Sequence, residues 1–174
     1  AASGGTGGFT YLGANAIGLY RSTDGTNFAR LNLAALKNAS NQFYAPNKFA
    51  VGADGKLWMG TKYSYAFGAA GGMVFSTTNG GTWTNASDLG NNGRVEIVAS
   101  KQTANKLYVL LENRSADGNQ WARFAVTTDG FATAPTFMTI PDDVDTGIPA
   151  NDFTRGQNFY DLLIGIDPND DNTL

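Results

Sequence analysis

The 174-residue sequence contains no cysteine and no histidine. Without cysteine there is no disulfide scaffold, no thiolate zinc site and no cysteine nucleophile. Without histidine the Ser-His-Asp triad, imidazole metal ligation and the commonest general base are gone. Charge is sparse: 16% of residues are Asp, Glu, Lys or Arg, against roughly 25% in ordinary domains. The 12 Lys and Arg against 15 Asp and Glu leave a net charge of −3 and a pI near 4.7, so the basic footprint of a nucleic-acid binder is missing. No apolar run approaches the ~18 residues of a membrane-spanning helix. Ala1-Ala2-Ser3 supplies neither a charged nor an apolar stretch, so no signal peptide is legible. Helical periodicity is nearly absent, and residues 33–39 make one turn at most.

What is present is glycine, at 22 residues, and aromatic side chains, at 12%. They are arranged in a repeat. Lys56-Leu57-Trp58 returns as Lys106-Leu107-Tyr108, and Thr78-Asn79-Gly80 returns as Thr128-Asp129-Gly130, both 50 residues later. Thr23-Asp24-Gly25 is the same turn 55 residues before Thr78-Asn79-Gly80, and Tyr11-Leu12-Gly13 precedes Trp58-Met59-Gly60 by 47. An eight-residue insertion at 63–71 reconciles the two spacings. Between these anchors lie short β-branched and aromatic runs bounded by Asn, Asp and Gly, which are hairpin signals.

Four antiparallel strands recurring every ~40–50 residues are the signature of propeller blades. With strands lettered A to D from the central channel outward, residues 1–32 hold part of a first blade, its strands B to D. Residues 43–88 make a second blade, 94–140 a third, and 159–174 the start of a fourth, with Asp161–Ile166 as strand A. The expected fold is all-β: a β-propeller of four-stranded antiparallel blades, incomplete in this chain, an arc of about three to four blades. An open arc leaves edges and interblade faces uncovered. The expected partner is therefore the remainder of the same propeller, from another chain or from further sequence.

The turns between strands C and D are built from Ser22, Asp24, Gly25 and Phe28; from Ser76, Asn79, Gly80 and Trp83; and from Thr127, Asp129 and Gly130. Glycine supplies positive φ, and Asp or Asn accepts bonds from the turn's own N–H groups. These segments resemble the Asp-box, or BNR repeat, S/T-x-D-x-G-x-T-W. The resemblance implies a structural role for the boxes, with the closing aromatic packed back over its hairpin, on the face away from the ligand. Gly156-Gln-Asn-Phe-Tyr-Asp-Leu-Leu-Ile-Gly-Ile-Asp-Pro168 is similar to a blade start in large secreted bacterial BNR-repeat proteins. More distantly the family includes sialidases, xyloglucanases and sortilin. The resemblance thus implies a secreted or cell-surface protein.

In such propellers the ligand face is made by the B–C and D–A loops. Glu112, Asp152 and Asp161 are the carboxylates there that suit glycoside hydrolysis, which needs two of them about 5–9.5 Å apart. Tyr63, Tyr65, Phe67 and Trp121 offer rings for sugar stacking, joined by Phe153 and Phe159, or they fold down to seal the channel. Arg114 and Arg155 are the loop arginines, fewer than the three a sialidase site needs. Asp142, Asp143 and Asp145 form an acidic loop that suits Ca²⁺. Asp167–Asn172 is a second acidic run, read first as a turn between strands A and B. No other cofactor is expected. The expected role is binding, adhesion or scaffolding, with a glycan or a surface protein as ligand. The alternative is a glycoside hydrolase, sialidase- or xyloglucanase-like, whose site is completed by further blades.

Overall fold

The computed structural model describes residues 2–4, 10–12, 17–63, 71–90, 92–113, 122–140 and 153–174, the first two segments and Asn92 by their backbone alone. The described residues are all-β apart from one 3-10 turn, Ala34–Leu36. None of their helices is long and apolar enough to cross a membrane.

Two four-stranded antiparallel sheets dominate. The first runs β5 (Ala45–Val51), β6 (Leu57–Lys62), β7 (Met73–Thr77), β8 (Thr84–Asp88) in chain order. The second runs β9 (Asn92–Ala99), β10 (Leu107–Asn113), β11 (Ala122–Thr127), β12 (Thr136–Met138). The two meanders have matching registers: Val51 faces Leu57 as Ala99 faces Leu107, and Leu57 faces Thr77 as Leu107 faces Thr127.

Burial explains why the inner strands read as nearly continuous apolar runs. All seven residues of β10 and all five of β7 are buried, because each sheet is covered on both faces. One face of the second sheet, with Val95, Ile97, Leu107, Val109 and Leu111, packs on Trp58 and Val74 of the first. Its other face, with Leu110 and Ala122, packs on Leu162. The far face of the first sheet, with Met59, Phe75 and Trp83, packs on Leu19 and Leu36. Sheet upon sheet in chain order is the arrangement of consecutive propeller blades. Backbones meet closely between the sheets: a Cβ built on Gly60 would lie 2.5 Å from the carbonyl oxygen of Val95.

Both ends of this stack depart from expectation. Among the described residues, the strands expected for the first blade form two separate pairs. β1 (Ala2–Gly4) pairs with β2 (Thr10–Leu12), and β3 (Tyr20–Arg21) pairs separately with β4 (Ala29–Arg30). The β3–β4 pairing is continued by the bond from the Leu31 N–H to the Leu19 carbonyl at 2.8 Å, and Gly18, at φ 131, stands just ahead of it. At the other end, Asp161–Ile166 joins no sheet among the described residues. Its side chains nonetheless alternate as in a strand, with Leu162 buried and Ile164 packed beside it, while Asp161, Leu163 and Gly165 face outward.

Candidate functional site

Antiparallel register fixes which loops share an end. Asn113 lies opposite Asn92, Glu112 opposite Ala122, and Phe124 opposite Met138. The start of β9, the end of β10, the start of β11 and the end of β12 therefore gather at one end of the second sheet. The A–B and C–D turns gather at the other.

At the loop end a charged cluster is built around Arg94. Its guanidinium donates to Glu96 through Nε at 2.7 Å and Nη2 at 2.6 Å, and through Nη1 to the carbonyl of Tyr160 at 2.6 Å. Its backbone N–H donates to Glu112 Oε2 at 2.9 Å. Asn47, from the neighbouring sheet, donates to Glu96 Oε1 at 2.8 Å and to the Val95 carbonyl at 3.0 Å. Glu96 and Glu112 are both buried, and a buried carboxylate is tolerable only when bonded in this way. Arg94 thus ties two carboxylates on one sheet to residue 160 of the next layer.

Tyr160 brings an aromatic corner to this cluster. Phe159 and Tyr160 are 51% and 49% exposed, and their rings stand edge to face with centroids 4.3 Å apart. The turn that presents them is closed by N–H bonds from Tyr160 and Asp161 to the Gln157 carbonyl at 3.0 and 2.8 Å. The exposed Asp161 follows directly. Two exposed rings and an exposed carboxylate thus occur at three consecutive residues, the middle one anchored through its carbonyl to the Arg94 guanidinium.

Of the residues expected at this face, Glu112 is in the cluster and Asp161 is at its rim. Arg155 is exposed on the same turn segment, at φ 53, and Tyr63 is half-buried at the end of the first sheet's β6. Asp152, Tyr65, Phe67, Arg114, Trp121, Asp142, Asp143 and Asp145 lie outside the described residues. Among the described residues no group of three or more acidic side chains could hold a metal ion. Arg94, Glu96 and Asn47 were missed by sequence reasoning. The one signal, for Arg94 and Glu96, is a charged pair at i and i+2 alternating with Val95 and Ile97, which reads equally well as a solvated strand face.

The turn end is held by side chains accepting backbone N–H groups. Asp24 Oδ1 accepts from Thr26 and Asn27, both at 2.8 Å, and Ser22 Oγ from Gly25 at 2.8 Å. Asn79 Oδ1 accepts from Gly81 and Thr82, both at 2.8 Å. Asp129 Oδ2 accepts from the N–H and hydroxyl of Thr133 at 3.0 and 2.6 Å. Gly25, Gly80 and Gly130 have φ of 75, 69 and 68. Bonds from Asn27 above all hold Asp24 well below the usual carboxylate range, and those from Thr133 and Thr127 lower Asp129.

Two expectations need correction here. The hydroxyl that caps the second turn is Thr77, which accepts from Gly80 at 2.9 Å, not Ser76. Ser76 is one residue too early: it lies inside the β ladder, buried opposite Trp58 and Thr84. Phe28 is 64% exposed and does not pack over its hairpin, whereas Trp83 is buried among Leu19, Met59 and Phe75. The first hairpin, with two-residue strands, provides no surface to cover Phe28. Because Asn79 occupies the place that Asp fills in the other two turns, Asn79→Asp is expected to strengthen two N–H bonds by charge. Thermal unfolding should show a Tm gain of roughly 2–3 °C at neutral pH, which starts to fade below about pH 4, where the unfolded chain's carboxylate protonates, and is lost as pH falls through the lowered value the turn imposes.

A second device at the turn end docks residues 167–172 on the second sheet. Asp171 accepts from Lys106 Nζ at 2.6 Å and Ser100 Oγ at 2.7 Å, and Tyr108 OH donates to the Asp171 carbonyl at 3.0 Å. Lys106 also reaches Asn172 Oδ1 at 2.8 Å. An ammonium therefore sits against this acidic run. Lys106, Ser100 and Thr103 lower Asp171 to about 2, and the bond to Asp171 raises Lys106. The stabilisation from Asp171 is present above its ordinary value of 3.8 and fades as pH falls toward 2. That from Lys106 is present below 10.5 and is lost as pH rises past its raised value. Amide exchange at 167–173 is expected to accelerate between pH 4 and 2 after correction for intrinsic rates. In Asp171→Asn that acid step should vanish.

No family model matches the chain, and no curated protein matches it. Among solved structures it is similar to a GH74 xyloglucanase from Xanthomonas campestris, with 19% identity and a TM-score of 0.48. That likeness covers 68% of this chain and 17% of the xyloglucanase.

Proposed function

We propose that this chain is a carbohydrate-binding part of a secreted or cell-surface propeller protein, and that the sugar is held at the loop end against Phe159 and Tyr160. The observation that supports this is the exposed edge-to-face ring pair, fixed through the Tyr160 carbonyl to the Arg94–Glu96–Glu112 cluster. A sugar ring presents an apolar C–H face and a polar rim. Exposed aromatic faces suit the first, and Asp161 with the tyrosine hydroxyl suits the second. Because the Arg94 guanidinium is held by Glu96 and its backbone N–H by Glu112, the corner is preorganised, and little ordering cost falls on binding. The further blades of such a protein would be its structural partner, and a surface protein bearing glycans its natural ligand.

A glycan array probed with the 174-residue chain and with Phe159→Ala/Tyr160→Ala tests the reading. The chain is expected to bind a set of oligosaccharides, and the double variant to lose at least tenfold in affinity with its fold intact. Undiminished binding by the variant would place the sugar elsewhere. Turnover of fluorogenic glycosides, abolished by Glu112→Gln and Asp161→Asn, would instead support hydrolysis, with those carboxylates as its acid and base or nucleophile.

A further inference from the structure

Asn79-Gly80, in the second of the three turns, and Asn92-Gly93 are the two Asn-Gly pairs of the chain. In such a pair the asparagine carboxamide is open to attack by the next backbone nitrogen, because glycine brings no Cβ to shield it. Asparagine is thermolabile for this reason. Asn79 is exposed, so water reaches it. In the folded turn both reacting groups are nonetheless engaged. The Gly80 N–H donates to Thr77 Oγ1 at 2.9 Å, and Asn79 Oδ1 accepts from the N–H groups of Gly81 and Thr82, both at 2.8 Å. The Asn79 N–H donates to the same Thr77 hydroxyl at 3.2 Å. The nucleophile thus keeps its proton in a bond, as protected amides do, and the carboxamide oxygen is fixed on residues 81 and 82.

When the turn opens, both constraints go together. The Gly80 nitrogen gives up its proton to hydroxide and attacks Asn79 Cγ. A Cγ–N bond forms, the Cγ–Nδ2 bond breaks, and Nδ2 takes a proton from water and leaves as ammonia. No group is oxidised or reduced. Water then opens the five-membered imide. Cleavage of the new Cγ–N bond restores the main chain with aspartate at 79. Cleavage of the original C–N bond leaves the main chain running through Cγ, as an isoaspartyl link. The turn treats the two products differently. Asp24 Oδ1 accepts from the N–H groups two and three residues further on, as Asn79 Oδ1 does, so an aspartate side chain fits this turn. An isoaspartyl link adds a carbon to the main chain and moves the N–H groups of Gly80, Gly81 and Thr82 out of register with Thr77. Refolding therefore retains aspartate, while the isoaspartyl chain stays open and free to cyclise again.

From these bonds we infer that Asn79 is a site of spontaneous deamidation controlled by the turn itself. The folded turn preserves asparagine, opening commits it to the imide, and refolding keeps the aspartyl product. Water is the one co-reactant. The inference concerns the turn end of the first sheet and is independent of the sugar-binding reading at the loop end.

The test incubates the 174-residue chain in mildly alkaline buffer, folded and in urea, and follows Asn79 and Asn92 separately by peptide mass. Conversion at Asn79 is expected to be at least tenfold slower in the folded chain than in urea. Thr77→Val removes the acceptor of the Gly80 N–H and should raise the folded-chain rate at Asn79 at least tenfold, with the rate at Asn92 unchanged. Cycles of unfolding and refolding should enrich aspartate over isoaspartate at 79 in the refolded pool, read with a protease that cleaves before aspartate and not before isoaspartate. Chain held in urea should accumulate isoaspartate instead. Equal rates at Asn79 in the folded and unfolded chain, or a refolded pool as rich in isoaspartate as the chain kept in urea, would overturn the inference whatever the variant does.

Discussion

Gly60→Ala is expected to destabilise the protein by about 3 kcal/mol or more, which is the upper part of the range for overpacking. The sign is informative, because glycine inside a strand ordinarily costs roughly 0.5–1 kcal/mol relative to alanine. At an open position the same change therefore helps, and Gly165→Ala should be neutral or mildly stabilising. At Gly60 the new methyl would lie 2.5 Å from the Val95 carbonyl oxygen and 3.0–3.1 Å from its side chain. The clashing atom belongs to the backbone of β9, which is fixed by pairing with β10 along its length. It cannot yield without moving the two sheets apart. Gly71, whose Cβ would collide with the Gly93 carbonyl, is expected to behave in the same way. Urea unfolding of the four proteins measures all of this, and a stabilised Gly60→Ala would contradict the sheet-on-sheet contact.

Trp58→Ala is expected to cost about 3–5 kcal/mol, as for other large core rings. Trp58 is fully buried on β6 and forms the centre of the cluster that joins the two sheets. Phe131 meets it edge to face at 6.1 Å, and Lys56 Nζ lies 4.3 Å above its ring. Removing the ring leaves a cavity between two rigid sheets, which collapse poorly, so the cavity cost adds to the transfer cost. Trp58→Phe should lose much less. It keeps an aromatic body and deletes an indole N–H that is buried without a partner, a group that itself costs about 1–3 kcal/mol. Both variants should lower the urea midpoint with little change in m, since the surface exposed on unfolding is nearly the same. A loss below about 1 kcal/mol for Trp58→Ala would place this ring outside the core.

The sheets were legible because period-2 alternation, β-branched runs and Gly turns are local signals. Lys56-Leu57-Trp58 and Lys106-Leu107-Tyr108 announce the second strand of each sheet, and the ladders put both in the same register. The position of a hydroxyl within Ser76-Thr77-Thr78 is less legible. Three adjacent residues can all cap a turn, and only the pairing of Ser76 with Trp58 decides for Thr77. The Arg94 cluster was illegible for a stronger reason. Its members are Asn47, Arg94, Glu96, Glu112 and Tyr160, brought together by the stacking of three layers far apart in sequence. Charge on a strand predicts solvent, and only the tertiary cover from Asn47 and from the segment carrying Tyr160 turns that face inward. The separate hairpins β1–β2 and β3–β4 were likewise not foreseeable, since the local signals for their strands say nothing of which neighbour each will choose.

The measurement that bears most directly on the carbohydrate reading is intermolecular proton NMR on the chain with an oligosaccharide it binds. Cross-peaks are expected between sugar C–H protons and the ring protons of Phe159 and Tyr160, with the sugar signals shifted upfield by the ring currents. Cross-peaks confined to other residues, with the Phe159 and Tyr160 signals unmoved at saturation, would contradict it.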